Sequence, residues 1–185
     1  MTNPKQRISV ERLTKIEEAD LQDLCNATEA AIHDGNGFGW LKPPRRSVLE
    51  AYWKGVILVP ERDLYVGWLD GRIVGSIQLL RPSRHNEAQA HMARLTTFFI
   101  APSARGLGLA REMLNRAEET AREEGFRQLE LDVRETQMAA IQVYERHGYI
   151  RWGERDAYAI VDDKPVKGYF YSKALDPKKN KKKDA

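Results

Sequence analysis

The chain has a single cysteine, Cys25. No intrachain disulfide can form and no cysteine cluster can hold a metal, so a reducing, cytoplasmic location is expected. No apolar run approaches the roughly 20 residues a membrane helix needs, and the opening stretch MTNPKQRISV has no apolar signal core. A soluble chain with no membrane partner is expected. There is also little excess of positive charge. Thirty Lys and Arg face 27 Asp and Glu, a balance of +3, and the last ten residues, DPKKNKKKDA, supply all of it with five lysines and two aspartates. A neutral body offers no basic face to DNA or RNA, so no nucleic-acid partner is expected. Residues 176–185 read as a disordered, solvated Lys-rich tail. Histidine is scarce as well: of four, His85, His91 and His147 lack ligand spacing and a fourth partner. They read as ordinary surface histidines, and no metal is expected.

What is present is enough for one domain, residues 1–175, since 185 residues that are 42% hydrophobic can bury a sizeable core. QRISVERLT (6–14) alternates weakly as an opening strand. From Ile16 to Gly35, Leu21, Leu24, Ala27 and Ala31 recur at helical spacing. NGFGWLKPP is a loop carrying Phe38 and Trp40. A second helix is expected from about Pro44, with Val48, Leu49, Tyr52, Trp53 and Val56 on one side. Asp70-Gly71 between two apolar runs marks a tight hairpin. MARLTTFFIAP (92–102) is a β-branched and aromatic strand, and residues 109–124 form an amphipathic helix closed by Gly125. In RQLELDVRE, Leu129, Leu131 and Val133 share one strand face while Glu130 and Asp132 take the other. A short helix stopped by Gly148 follows, then three closing strands, YIRWGE, YAIV and GYFYSKAL. Helices interleaved with mostly antiparallel strands give an α/β (α+β) architecture, a twisted sheet flanked by helices.

The stretch IAPSARGLGLAREML runs from a strand end through Pro102 into Gly106 and Gly108 and on into helix. It is not a Walker loop, because Leu109 and Ala110 stand where Lys and Ser or Thr belong. It is a poor dinucleotide fingerprint, because Arg111 replaces the third small residue. A helix N-terminus nonetheless offers unpaired N–H donors and partial positive charge, and glycines let an anion come close. Arg105 adds a fixed cation able to chelate phosphate.

These residues resemble the GNAT superfamily of acetyl-CoA-dependent N-acetyltransferases. In that family an apolar-x-apolar-x-Pro strand leads into a Gln/Arg-x-x-Gly-x-Gly/Ala loop. Here Phe98, Ile100 and Pro102 supply the strand, and Arg105, Gly106, Leu107, Gly108, Leu109 and Ala110 the loop. Two frames fit: Gly106 and Gly108 as motif glycines with Ser103 in the Gln/Arg position, or Gly108 and Ala110 with Arg105 filling it. Further on, Gln137, Ala140, Tyr144, Gly148 and Tyr149 keep the family's Asn-x-x-Ala-x-x-x-Tyr-x-x-x-Gly-Phe spacing, with Gln for the usual Asn. The likeness covers residues 64 to 174 well and the first 60 loosely. PSARGLGLAREML and the ending AYAIVDDKPVKGYFYSKAL look most like the tabtoxin-resistance type.

The resemblance implies acetyl-CoA as co-substrate and direct attack on it by a primary amine of a small molecule in a ternary complex. Residues 105 to 111, including Arg111, would hold the diphosphate. A splayed backbone at Phe98, Phe99 and Ile100 would receive the pantetheine arm and the thioester oxygen, with Gln137 also on the coenzyme. Tyr144 is the expected general acid for the leaving thiolate. Asp132 is the candidate base, acting directly or through water, against a surface or salt-bridged aspartate as the alternative. Arg94 stands where other members carry a glutamate base, cannot act as a base, and is a candidate for a substrate carboxylate. Phe38, Trp40 and Trp53 are candidates to line an acceptor pocket, Phe38 and Trp40 foremost, although aromatics in a short domain are more often core. The alternatives are a protein N-terminal or lysine acetyltransferase and a non-catalytic acyl-CoA-binding module, and a homodimer is left open.

Overall fold

The computed structural model describes residues 6–35 and 39–176. In chain order they form β1 (Ile8–Leu13), α1 (Glu18–His33), α2 (Arg46–Val56), β2 (Arg62–Leu69), β3 (Arg72–Leu80), β4 (Met92–Ile100), α3 (Leu109–Glu123), β5 (Gln128–Arg134), α4 (Met138–Arg146), β6 (Ile150–Val161) and β7 (Lys164–Ala174). The sheet order is β1-β2-β3-β4-β5-β7-β6. Parallel pairing of β4 with β5 is the exception among the pairings described, so the expected mixed, mostly antiparallel α/β architecture is present. The chain divides into two compact units, Met1–Leu79 with Thr96–Arg116 and Leu80–Leu95 with Ala117–Ala185.

In the first unit, α1 and α2 press one face each onto the sheet. Leu21, Leu24, Ala27 and Ala31 of α1 and Leu49, Trp53 and Val56 of α2 are buried with Leu64, Val66, Ile73 and Phe99. The spacing of these residues follows the helical period, which places all of them on the inward stripe. Val48, expected on that stripe, is 46% exposed instead. Trp53 is fully buried, and its indole N–H donates to the Thr28 hydroxyl at 3.1 Å, which in turn donates to the Leu24 carbonyl at 2.6 Å. The one polar handle of the largest core side chain is thereby satisfied. Cys25 is buried in the same cluster, and burial pushes its thiol up to about 11. Asp70 and Gly71 both take positive φ, +50° and +83°, as the tight hairpin requires.

In the second unit, Leu129, Leu131 and Val133 of β5 are buried, as their alternation predicts. β5 pairs antiparallel with β7 along its whole length. The expected strands YIRWGE and YAIV are one strand, β6, broken by two register shifts against β7. A turn through Asp162 and Asp163, with φ of +48° and +60°, joins them. Aspartate tolerates that left-handed geometry, so this Asp-Asp pair is itself a local turn signal.

Candidate functional site

The first unit carries the β4–α3 turn. Pro102–Ala104 make one 3-10 turn, Arg105 is extended, Gly106 and Gly108 have φ of +79° and +85°, and α3 begins at Leu109. Both glycines occupy the left-handed region that side chains resist, and open space lies where a Cβ would stand on either one. The Leu109 side chain is buried, fixing the start of the helix in the core, while Arg111 is exposed beside Glu112. The backbone count is decisive here. Among the described residues, none accepts a hydrogen bond from the amides of residues 106 to 110; the next two, Arg111 and Glu112, both donate to the Gly108 carbonyl. A run of amides with no acceptor among the described residues, at a helix N-terminus, is able to receive an anion.

Arg105 is tied to the protein on two sides. Its guanidinium donates to Asp34 at 2.7 Å and to the Ile100 carbonyl at 3.3 Å, so it fastens the turn to the end of α1 and back to its own strand. A positive charge already matched by a carboxylate is a brace first and a phosphate ligand second.

Thr97, just upstream, has φ +50°, a strained value for a β-branched residue inside a strand. Its carbonyl accepts from Ser76 Oγ at 2.9 Å and its hydroxyl lies 3.3 Å from that of Tyr52, which hold the kink in place. The kink redirects the backbone of Phe98–Ile100. Phe99 buries its side chain against Trp53, ring centroids 6.4 Å apart. Trp40 is half-buried and edge-on to Tyr52 at 5.0 Å. Phe38 lies outside the described residues, as does the tail from residue 177 on.

In the second unit the β4–β5 ladder holds three pairs, Met92–Gln128, Ala93–Leu129 and Arg94–Glu130, and stops there although β5 runs on to Arg134. Arg94 is exposed, 3.9 Å from Glu130. Asp132, two residues past that last pair, is half-buried and accepts a hydrogen bond from Tyr158 of β6. Tyr144 of α4 is 5% exposed, with its ring centroid 6.0 Å from that of Tyr149 and 6.3 Å from that of Tyr171. Burial first, then the negative charge of Asp132 and the neighbouring Tyr158, hold its phenol well above the usual range, so the hydroxyl keeps its proton at any working pH. Gln137 stands at the N-cap position of α4. Of the predicted residues, Asp132 and Tyr144 therefore belong to one electrostatic group, and Tyr158 joins them as a member that sequence reasoning missed.

His147 departs from expectation. It is no ordinary surface histidine: it stacks on Tyr149 and lies 3.3 Å from Glu118, which is 2% exposed and held by Lys173 and Arg122 at 2.8 Å each. Among the described residues no group of three His, Cys, Asp or Glu side chains is arranged to hold a metal ion, and no helix is long and apolar enough to cross a membrane.

Four phenols are shifted in one direction. Burial is the main cause for each, reinforced by Asp132 at Tyr144 and Tyr158, Glu118 at Tyr149 and Glu145 at Tyr171, the last pushed up to about 12. Unfolded tyrosines release their protons near pH 10 while these keep theirs, so above that pH the unfolded state binds fewer protons. The contribution of these groups is whole below about pH 10 and is lost as pH rises through the folded values. The thermal midpoint should therefore fall between pH 10 and 11; a midpoint that holds level to pH 11 would contradict this account.

A model of the acetyltransferase (GNAT) family matches residues 22–149. The chain is 58% identical over 130 residues, 70% of its own length and 77% of the relative's, to an uncharacterized N-acetyltransferase of the hisH-hisA intergenic region of Azospirillum brasilense. Its fold is similar to that of a GNAT superfamily phosphinothricin acetyltransferase from Sinorhizobium meliloti in complex with AcCoA, with TM-score 0.72, 16% identity, and 91% of this chain and 88% of that one covered. It is equally similar to a ribosomal-protein-alanine N-acetyltransferase from Brucella melitensis, with TM-score 0.72, 21% identity, and 90% and 99% covered. One of these acts, by its name, on a small molecule and the other on a protein, so the fold by itself does not choose an acceptor.

Proposed function

The chain belongs to the acetyltransferase (GNAT) family, and on that premise we propose that it moves an acetyl group from acetyl-CoA to a primary amine of a small molecule by direct attack within a ternary complex. The observation that carries this reading is the run of amides at residues 106 to 110 with no acceptor among the described residues. They suit the diphosphate of the coenzyme in number, polarity and position at a helix start. Acetyl-CoA supplies the acyl group and a thiolate that must be protonated as it leaves. The amine nitrogen forms the new bond to the carbonyl carbon, the carbon–sulfur bond breaks, and the amine proton passes to a base or to water.

In this reading the protein's part is chiefly placement, since fixing two reactants together removes a bimolecular encounter. The backbone beyond the Thr97 kink offers polar groups to the pantetheine arm and the thioester oxygen. Gln137 contributes an amide to the coenzyme, and Trp40 lines the acceptor side. Tyr144 donates toward the sulfur, and Asp132 accepts the amine proton directly or through one water. Arg94, an exposed cation on β4, pairs with an acidic group of the acceptor. The likeness of PSARGLGLAREML and of the C-terminal strands to the tabtoxin-resistance type favours a compact amino-bearing compound over a protein.

The test is release of free coenzyme A from acetyl-CoA, measured across polyamines, amino acids, aminoglycosides and short peptides. Turnover with one or more small amines is expected. Turnover with peptides alone would make the acceptor a protein. Tight acetyl-CoA binding without release on any amine would make the chain a binding module.

A further inference from the structure

Tyr158 reaches Asp132 through an arrangement that an ordinary strand pairing would not produce. On β6 the register passes from Arg155 opposite Gly168 to Ala159 opposite Val166, so Asp156, Ala157 and Tyr158 together face the single residue Lys167. Extra residues in one strand bend it and re-aim its side chains. The bulge is tied down on its partner strand: Lys167 Nζ lies 3.0 Å from Glu154 and 3.1 Å from Asp156, and the Lys167 amide donates to Glu135 at 3.1 Å.

The re-aimed ring then lies on bare backbone. A Cβ on Gly168 would stand 2.1 Å from Tyr158 Cγ and 2.6 Å from its Cβ, distances no side chain occupies. These are the stiff inner atoms of the ring side chain rather than a flexible end, so only glycine at 168 admits the ring. Phe170, two residues along β7, packs edge-on against the same ring at 6.0 Å. Phe170 is also the β7 residue directly across from Asp132, which brings the phenol to the carboxylate. The Tyr158 hydroxyl donates to Asp132 Oδ2. Burial, then this hydrogen bond and the Asp132 charge, hold the Tyr158 proton in place, while the guanidinium charges of Arg94 on β4 and Arg134 on β5 work in the opposite direction. The charged and titratable groups that act on the pair are thus Arg94 of β4, Arg134 of β5 and Tyr144 of α4.

We propose that Tyr158 is a positioning residue for acetyl transfer: seated on Gly168, it orients the Asp132 carboxylate toward the amine and keeps the charge of that carboxylate beside Tyr144. The inference rests on the acetyltransferase reading above. An aspartate that accepts one hydrogen bond on Oδ2 loses a degree of rotational freedom and presents Oδ1 in a fixed direction. Geometry of this kind is worth rate rather than affinity.

The experiment uses the full chain with acetyl-CoA and the best amine from the panel. Tyr158→Phe should lower kcat about ten-fold and leave KM for acetyl-CoA unchanged. Gly168→Ala, which keeps the hydroxyl but evicts the ring, should lower kcat to the same degree, and the double variant should be no slower than either alone. Tyrosine absorbance titration supplies a readout independent of turnover. Two phenols, Tyr158 and Tyr144, should ionise at lower pH in Asp132→Asn than in the wild type, and the Tyr158 part of that difference should vanish in Asp132→Asn/Tyr158→Phe while the Tyr144 part remains. If Tyr158→Phe keeps the wild-type kcat while only its melting temperature drops, the hydroxyl is structural and the role is overturned. A wild type that releases no coenzyme A with any amine overturns the acetyltransferase reading and this role with it; an active wild type with an indifferent Tyr158 overturns the role alone.

Discussion

Replacing Gly108 by valine should raise the acetyl-CoA dissociation constant by at least about 10²-fold. The residue sits at φ +85° with open space where a Cβ would go, so the substitution meets no packing clash. What it meets is backbone: the left-handed conformation costs an L-residue roughly 1–2 kcal/mol, and more when the side chain is β-branched. The turn relieves that cost by rotating away from positive φ, and the amides of residues 106 to 110 rotate with it. A hydrogen bond to a charged oxygen contributes about 1.5–3 kcal/mol. Losing two of them weakens binding by about 3–6 kcal/mol, or roughly 10² to 10⁴ in the constant. Gly125→Val is the control, because Gly125 closes α3 at φ +87° with equally open surroundings. It should destabilise the fold to a similar degree and leave calorimetric acetyl-CoA affinity where it was. Wild-type affinity in Gly108→Val would remove the turn from the coenzyme site.

Tyr144→Phe should lower kcat about 10²-fold with the coenzyme dissociation constant nearly unchanged. The ring contacts with Tyr149 and Tyr171 survive in phenylalanine, so the fold should keep its melting temperature within a few degrees. Only the hydroxyl is lost. General acids contribute about 10²–10⁴ in rate, and the low end is expected here for a stated reason. An ordinary phenol near 10 already lies about 1.5 units above a thiol near 8.5, so giving up its proton is uphill by about 2 kcal/mol. Burial and the Asp132 charge widen that gap. In the proposed mechanism Tyr144 would serve as a donor that is always loaded, transferring its proton only as the carbon–sulfur bond breaks. The alkaline side of the wild-type rate profile should carry no limb from this phenol below about pH 10. A wild-type kcat in Tyr144→Phe would remove the hydroxyl from the chemistry.

Much of the fold was legible because its signals are local. Leu21, Leu24, Ala27 and Ala31, or Leu129, Leu131 and Val133, declare their faces by spacing alone, and both sets are buried. Asp70-Gly71 declares a turn by the φ values it tolerates. Where local signals conflict with strand pairing, pairing decides the structure. Arg155, Asp156 and Ala157, between YIRWGE and YAIV, suggest a break between strands, whereas β7 holds β6 in place across the bulge. Val48 fitted the helical stripe by spacing yet lies at its exposed edge, since the width of a stripe depends on the neighbour it packs against.

The same division runs through the candidate site. By itself the sequence determined a glycine turn opening a helix, an aspartate on the polar face of β5 and a tyrosine on α4, because composition and short-range spacing dictate backbone freedom and side-chain direction. Only the tertiary structure decided that Arg105 braces against Asp34, 71 residues away, that Thr97 is strained over Ser76, and that Tyr158 lies across Gly168 onto Asp132. Each of these depends on which strand or helix comes alongside which. Strand register is settled by the summed burial of whole faces and by bulges, and no window of a few residues contains that sum.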